Sequence, residues 1–366
     1  MKTRFPLAVV GAGLSGLSTA RFLAAQGADT LIFERTGRPG GRIRTVTTEH
    51  WRADIGAHVI RRSQKHLIAL IRELGLEAEL VTIQGAHGSI PASGEVPPPT
   101  GDMFSTGKLC LRTGVESLPQ LMHTRFNLAV FPGEIAAVRW DEEDGSFWFE
   151  SEDGKPARSP DTGDIFAASG VVLAAGMRLT LHIARRSPVL AHAVPILEEC
   201  YWGPTAVGAF LVPPLATAYA SLEGTIDSPL RWVGFEERKG PGRAPQGYSL
   251  VSVAAGRLTS ERLNRLPPED CVVSLYSELR GLFPELPAKP EDGRAHIWQN
   301  GWGPHDWNPA KVRKAMRRPE PGAPPIILAG EYLRGFSMEH ALDSGEESAA
   351  MLLDAVAKYR DSRHAH

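Results

Sequence analysis

Three glycines within six positions, Gly11, Gly13 and Gly16, separate an apolar run from an alanine-rich segment in VVGAGLSGLS, residues 9–18. Few features limit a fold so tightly. Residues 5–10, FPLAVV, are short, apolar and β-branched at the end, and read as a buried strand. From Leu14 to Gln26, Leu14, Leu17, Phe22 and Leu23 recur among alanines, the pattern of a helix packed closely on a sheet. The spacing G-x-G-x-x-G gives each glycine its own task. Gly11 permits a tight turn, Gly13 lets a pyrophosphate approach the backbone, and Gly16 lets helix and strand pack closely. The helix start, at Leu14 and Ser15, then points free N–H groups and a positive dipole end at phosphates. A second strand follows in DTLIFER, with Glu34 near its end, 18 residues after Gly16. A carboxylate there accepts hydrogen bonds from adenosine ribose hydroxyls and repels a 2′-phosphate.

Composition removes several classes. The chain has 366 residues, 42% hydrophobic and 22% charged, with a formal net charge of −2. No global basic field recruits nucleic acid or an anionic membrane, and no apolar run reaches the ~18 residues a bilayer span needs. The three cysteines, Cys110, Cys200 and Cys271, stand far apart. They offer neither a disulfide framework nor a metal-ligand pair, and His296 and His305 lack partners at ligand spacing, so no metal is expected. The first strand begins almost at once, with no segment resembling a signal peptide, and the expected setting is cytoplasmic.

Directly after Glu34, residues 35–45 read RTGRPGGRIRT, a second glycine pair among arginines, including Arg35, Gly41 and Arg42. Such a segment adds donors beside a diphosphate that lies extended across the domain. The block from VVGAGLSGLSTARFLAAQGADTLIFE through GGRIRT resembles the flavin-containing amine oxidase superfamily, which includes amine oxidases, protoporphyrinogen oxidases, carotene desaturases and renalase-like enzymes. The resemblance implies FAD, with Arg42 near its pyrophosphate. DIGAHVI, residues 54–60, resembles the family segment running alongside the isoalloxazine ring, which implies roles for Gly56, Ala57 and His58. HLIALIRELGLE has the apolar spacing of the helix that follows it. FPGEIAAVRW and VVLAAG resemble the strands beneath the adenine, with Ile135 and Ala175 as contacts. IILAGEYLRGFSMEHALDSGEESAAML resembles the closing motif. It implies Gly330 and Glu331 at the ribityl chain and pyrophosphate, and a helix beginning near Ser337 and Met338, with Ala341 behind them, aimed at the flavin C2 side.

The fold class expected is α/β: a discontinuous Rossmann-type FAD-binding domain at 1–85, 125–180 and 321–366, with a smaller α+β substrate domain at 86–124 and 181–320. DEEDGSFWFESEDG reads as a hairpin around an acidic turn, PASGEVPPPTG as a surface crossover, and RKGPGRAPQG, residues 238–247, as an exposed turn or loop. No second G-x-G-x-x-G lies between strand and helix, so reoxidation is expected from oxygen or another diffusible acceptor.

Departures from the family narrow the chemistry. Many amine oxidases carry a strand lysine bridged by water to flavin N5. The matching strand here is YWGPTAVGAFLV, residues 201–212, and the lysine position falls at Val207. No lysine occurs between Lys155 and Lys239. Ser337 replaces an aromatic, with Phe336 adjacent as a partial substitute, and the cysteine-attachment motif is missing, so FAD is expected to be held non-covalently. His58 reads either as a group facing the flavin or as a hydrogen-bonded structural histidine. In HIWQNGWGPHDW, Trp298 is the candidate aromatic wall, while Trp302, His305 and Trp307 read as core or loop. Tyr201 and Trp202 read either way. The expected catalytic set is His58, Trp298 and Phe336. The expected reaction transfers a hydride to flavin N5 from a C–H of a small cyclic, aromatic or amine-containing substrate. Lysine-independent amine oxidation is the alternative, and a non-catalytic FAD-binding partner protein is the rival of another class.

Overall fold

The computed structural model describes residues 2–90, 96, 107–200, 202–302, 308–315 and 322–364. The chain forms two compact units: Met1–Gly41, Leu118–Tyr201 and Gly303–His366 make the first, Arg42–Ser117 and Trp202–Trp302 the second.

A seven-stranded sheet forms the centre of the first unit. The strands Ile165–Leu173, Lys2–Val10, Thr30–Glu34 and Ala129–Pro132 lie side by side and parallel, and Ile326–Leu328 joins Ile165–Leu173 in the same sense. Val9, Val10, Ile32 and Phe33 are all buried, the near-continuous apolar run expected of strands covered on both faces. The acidic hairpin forms as expected, with Ala137–Asp141 antiparallel to Ser146–Glu150 and Gly145 at φ +62° in its turn. Helix Leu14–Ala25 follows the first strand. It ends where Gly27 takes φ +74° and Ala28 N–H returns to the Leu23 carbonyl. Helix Met338–His364 packs against it: Ser18 Oγ donates to Leu342 O at 2.9 Å and Thr19 Oγ1 to Gly345 O at 3.1 Å.

The second unit is built on a six-stranded sheet in the order Asp292–Trp302, Gly203–Val212, Ser249–Ala255, Leu230–Phe235, Tyr219–Glu223 and Ala86–Ser89. Its pairs are antiparallel except the last. Alternation along 203–212 sends Phe210 and Val212 to a core with Leu275 and Tyr276 of helix Pro268–Leu282. Val207, Ala209 and Leu211 go to the opposite face, with Trp51, Ala53 and Ile55. The helix expected from HLIALIRELGLE spans Lys65–Glu73.

One expectation changes, and the contacts group the chain differently from the expected domains. Contacts group residues 42–85 with 202–302, because Arg52 N–H donates to Arg243 O at 2.9 Å and Gln84 N–H to Arg238 O at 3.0 Å. The compact units therefore divide the chain at other points than the domains expected from the sequence. The loop at 238–247 is not an exposed one throughout, since Lys239 is 2% and Arg243 1% exposed. Asp54, on a distant strand, and Glu236, three residues before Lys239, supply the opposite charges that make that burial tolerable. The PASGEVPPPTG crossover lies outside the described residues, Val96 excepted.

Candidate functional site

In the first unit the glycine turn is built as a cradle. Gly11 sits at φ +106°, and a Cβ added to it would lie 2.8 Å from Ala174 O. One added to Gly16 would lie 1.9 Å from Gly11 O, so the helix rests directly on the turn. Gly13 differs: a Cβ there meets no atom within 4 Å. Its lack of a side chain is not required by packing and leaves space at the helix start. Gly13 is also the N-cap of helix Leu14–Ala25 and contributes no side-chain cap, so the first-turn N–H groups keep their capacity for an anion. The PGG segment lies on this turn, with Gly40 N–H donating to Ala12 O at 2.8 Å and Gly41 close against Gly13.

Glu34, buried at the end of its strand, accepts from Ala12 N–H at 2.9 Å, Thr36 N–H at 3.0 Å and Thr36 Oγ1 at 2.8 Å. These take about three of the roughly four acceptor positions of a carboxylate. The acid is fixed beside the turn with room for one further donor. Arg35 turns its guanidinium to Glu134, 3.6 Å away. Ile135 and Ala175 are buried next to the strands 137–141 and 165–173. Gly330 N–H donates to Ser344 Oγ at 2.9 Å, and Glu331 opens a short 3-10 turn. The closing helix begins at Met338 as expected, capped by Ser337 Oγ, which accepts from His340 N–H at 3.1 Å. Met338 and Ala341 are buried, whereas Phe336 is 48% exposed.

In the second unit, DIGAH runs against residues 42–44. Ile55 N–H donates to Arg44 O at 3.0 Å, and a Cβ on Gly56 would lie 1.8 Å from Arg42 O. The strand 292–302 holds the same segment. Trp298 Nε1 donates to Ile55 O at 2.7 Å, and Arg42 Nη1 donates to Asn300 O at 2.8 Å. Arg42 also lies over the buried Trp202 ring, 5.6 Å from its centroid. Val207, the position at which the resemblance puts a lysine, is buried in an apolar cluster with Ile55, and Trp298 packs against that cluster. His58 is buried on Trp232, with ring centroids 4.8 Å apart. Burial, helped by Lys239 and opposed by Asp54 and Glu236, brings its pKa down to about 4.

Beside this segment lie four buried charges that the sequence reading missed. Arg243 Nη1 is 3.0 Å from both Asp54 Oδ2 and Glu236 Oε2. Lys239 Nζ bonds Glu236 and stands 3.5 Å from Asp54 Oδ2. Asp54 Oδ1 also accepts from Thr45 Oγ1 at 2.7 Å and Val115 N–H at 3.1 Å. Burial pushes the Asp54 carboxyl up, but Lys239 and Arg243 outweigh it and hold the group well below the usual carboxylate range. Lys239 Nζ is 5.8 Å from the Trp232 ring centroid. The charged run EERKGPGR between apolar strands was the available signal. Of the remaining candidates, Trp202 is a core residue. Tyr201, His305, Trp307 and the Trp302 side chain lie outside the described residues.

The parallel sheet and the glycine turn at its first strand have the form of a Rossmann-type α/β fold. The chain belongs to the flavin-containing amine oxidoreductase family, whose profile matches residues 14–95 and 101–353; the family's members are FAD-dependent oxidoreductases. Flavin-containing amine oxidase A of Canis lupus familiaris is 40% identical over 80 residues, 22% of this chain and 15% of that protein. Coproporphyrinogen III oxidase of Staphylococcus aureus is 32% identical over 97 residues, 26% of this chain and 21% of that one. The matched stretches thus span less than a quarter of those relatives. A solved structure of wild-type putrescine oxidase bound to putrescine superposes with a TM-score of 0.73 over 97% of this chain and 100% of that chain, at 16% identity. At that identity the likeness is one of fold.

Proposed function

We propose that the chain is an FAD-dependent oxidoreductase that takes a hydride from a C–H beside nitrogen, or on an activated ring carbon, of a small molecule. The observation that carries the reading is the open space at Gly13 on an uncapped helix start, flanked by the fixed carboxylate of Glu34. Those residues fit a pyrophosphate and an adenosine ribose. Bound FAD supplies the two-electron acceptor. The chain's own residues do the rest. In this reading Gly11, Gly13, Leu14, Ser15, Gly16 and Gly41 surround the phosphates, Glu34 takes one ribose hydroxyl, and Arg35, Ile135 and Ala175 lie towards the adenosine. Gly330, Glu331, Ser337, Met338 and Ala341 are the residues read for the ribityl and ring end; the resemblance adds Arg42, Gly56, Ala57 and His58 to the cofactor-binding set. The start of helix Met338–His364 favours negative charge near it.

Trp298 and Val207 supply apolar surface that excludes water and orients the reacting carbon. The hold on FAD is non-covalent, electrons pass to oxygen or another diffusible acceptor, and the division of ligand contacts follows 1–85, 125–180 and 321–366 for FAD and 86–124 and 181–320 for substrate. Amine chemistry draws support from the family. Dehydrogenation of a small ring is favoured by the apolar Val207 where the resemblance puts a lysine. A cytoplasmic setting accords with three free, buried cysteines; among the described residues no helix is long and apolar enough to cross a membrane.

The test is anaerobic mixing of purified protein with small amines and with cyclic dihydro compounds, following the oxidised flavin band. Bleaching by one class, restored by air, is the expected result and chooses between the two substrates. A colourless protein that takes up no FAD overturns the reading, and a yellow protein that no small donor bleaches leaves a non-catalytic flavoprotein.

A further inference from the structure

His58 is 8% exposed, and its Nδ1 lies 2.8 Å from the Gly56 carbonyl oxygen. A carbonyl oxygen only accepts, so Nδ1 carries the proton and the neutral ring has its lone pair at Nε2. Nε2 is buried and meets no hydrogen-bond partner among the described residues. An acceptor left in that condition keeps the full cost of its lost hydration, and interiors seldom hold one without a use. The charged groups acting on the ring are Lys239, Asp54 and Glu236. Lys239 opposes a second proton on it. Asp54 and Glu236 favour one, but both carboxylates are engaged by Lys239 and Arg243. The Trp232 ring packs on the imidazole at an interplanar angle of 60° and offers only its π face, a far weaker acceptor than the Gly56 carbonyl that takes the ring's one proton. The ring is therefore held in one tautomer and one orientation, with a lone pair and nothing to receive.

We propose that His58 Nε2 is the acceptor for an N–H donor of a bound ligand. The inference rests on the oxidoreductase reading, which names two sources of that chemistry: an amine N–H of the substrate and the imide N–H of the flavin ring. His58 acts by accepting a hydrogen bond, and the Gly56 carbonyl acts as its positioning group by fixing the tautomer.

Three measurements test this. In protein labelled with 15N-histidine and given no flavin, the His58 signal, assigned by its loss in His58→Phe, should report a protonated Nδ1 and a bare Nε2 from about pH 5 to about pH 8. A protonated Nε2 in that range overturns the inference whatever the flavin does. In FAD titrations followed by flavin fluorescence, His58→Phe should weaken binding about tenfold if the donor is the flavin imide, the worth of one net hydrogen bond. If the donor belongs to the substrate, FAD affinity stays the same, KM rises about tenfold, and His58→Gln, whose Oε1 can accept, recovers most of the loss. FAD affinity and KM both unchanged in His58→Phe overturn the proposal, because the lone pair then meets only water. Wild-type protein that takes up no FAD overturns the function reading, and the NMR arm then still decides the tautomer on its own.

Discussion

Arg243 and Asp54 meet at 3.0 Å with neither side chain exposed to solvent, although 189 residues separate them along the chain. Together with Glu236 and Lys239 they form a buried group of two acids and two bases. Each member tolerates burial because the others remain charged beside it.

Removing one member should therefore be severe. Lys239→Met leaves Glu236 and Asp54 with one cation between them, and loss of one partner of a buried pair costs about 3–5 kcal/mol. The sequence places Lys239 in an exposed turn or loop, where such a change would be harmless, and its burial removes that premise. Lys289, which is exposed, should tolerate the same change within about 0.5 kcal/mol. Urea midpoints of the two variants make the comparison. Equal midpoints would show that the group contributes nothing to stability.

A single methyl placed at two glycines should separate folding from cofactor binding. Gly16→Ala drives a Cβ to 1.9 Å from Gly11 O and should cost about 3 kcal/mol or more. Gly13→Ala meets nothing within 4 Å and keeps a permitted φ of −67°. Its thermal midpoint should stay at the wild-type value while FAD affinity falls at least about tenfold, because the methyl occupies the phosphate's place. Gly13→Ala protein that binds FAD normally places the pyrophosphate elsewhere.

The pH dependence of stability follows from His58. Its folded-state pKa is lowered from 6.5 to about 4, first by burial and then by Lys239. The unfolded chain therefore gains a proton that the folded chain refuses between those values. The contribution of the neutral ring is complete above about pH 6.5 and is lost as pH falls towards 4, with a slope of up to about 1.4 kcal/mol per pH unit. His87, lowered to about 4 by burial and Lys108, adds loss of the same sign in the same window. Asp54, held below the usual range, adds its own loss only below about pH 4. Denaturation midpoints measured across the window should fall less steeply in His58→Phe than in the wild type; parallel curves would show that His58 titrates normally.

Trp298 should matter for rate more than for colour. Trp298→Ala removes the bond to Ile55 O and part of the apolar face beside Val207. The variant should retain FAD and slow flavin reduction at least tenfold, since a misplacement of about 1 Å can cost roughly a hundredfold. Trp298→Phe, keeping a ring without the N–H, should fall between. Stopped-flow reduction at saturating donor is the measurement, and a wild-type rate for Trp298→Ala removes the aromatic wall from the reading.

Local rules made part of this structure readable in advance. The strand, the glycine turn and the helix at Leu14 depend on neighbours within a few residues, and they lie where their residue patterns placed them; the helix start at Met338 lies where the resemblance to the closing motif placed it. Val207 could be placed on its strand because YWGPTAVGAFLV resembles the strand on which many amine oxidases carry their lysine. The charged group could not be read in this way. Lys239 and Arg243 stand in a run of charge, glycine and proline that has every local mark of a surface loop, and the reversal comes from pairing with Glu236 of the same run together with Asp54, on a strand far earlier in the chain. The boundary at residues 41 and 42 was hidden for the same reason: what decides it is where Arg52 and Gln84 find partners, not composition. Phe336 was legible as an aromatic beside the closing motif, but its exposure depends on the turn at Gly335, which pattern alone does not give.

The contact of helix Leu14–Ala25 with helix Met338–His364 has a consequence for synthesis. Ser18 and Thr19 bond the carbonyls of Leu342 and Gly345, and a Cβ on Gly345 would lie 2.3 Å from Ser15 O, so the glycine turn's helix is covered by residues that leave the ribosome more than 300 residues later. Ile326–Leu328 completes the same sheet equally late. Until then the first strand and helix emerge with an apolar face uncovered, at a rate of about 5–20 residues per second. The nascent amino-terminal segment therefore waits tens of seconds for its covering, the interval in which a ribosome-bound chaperone would find it, and any premature stop before residue 338 leaves that face bare for good.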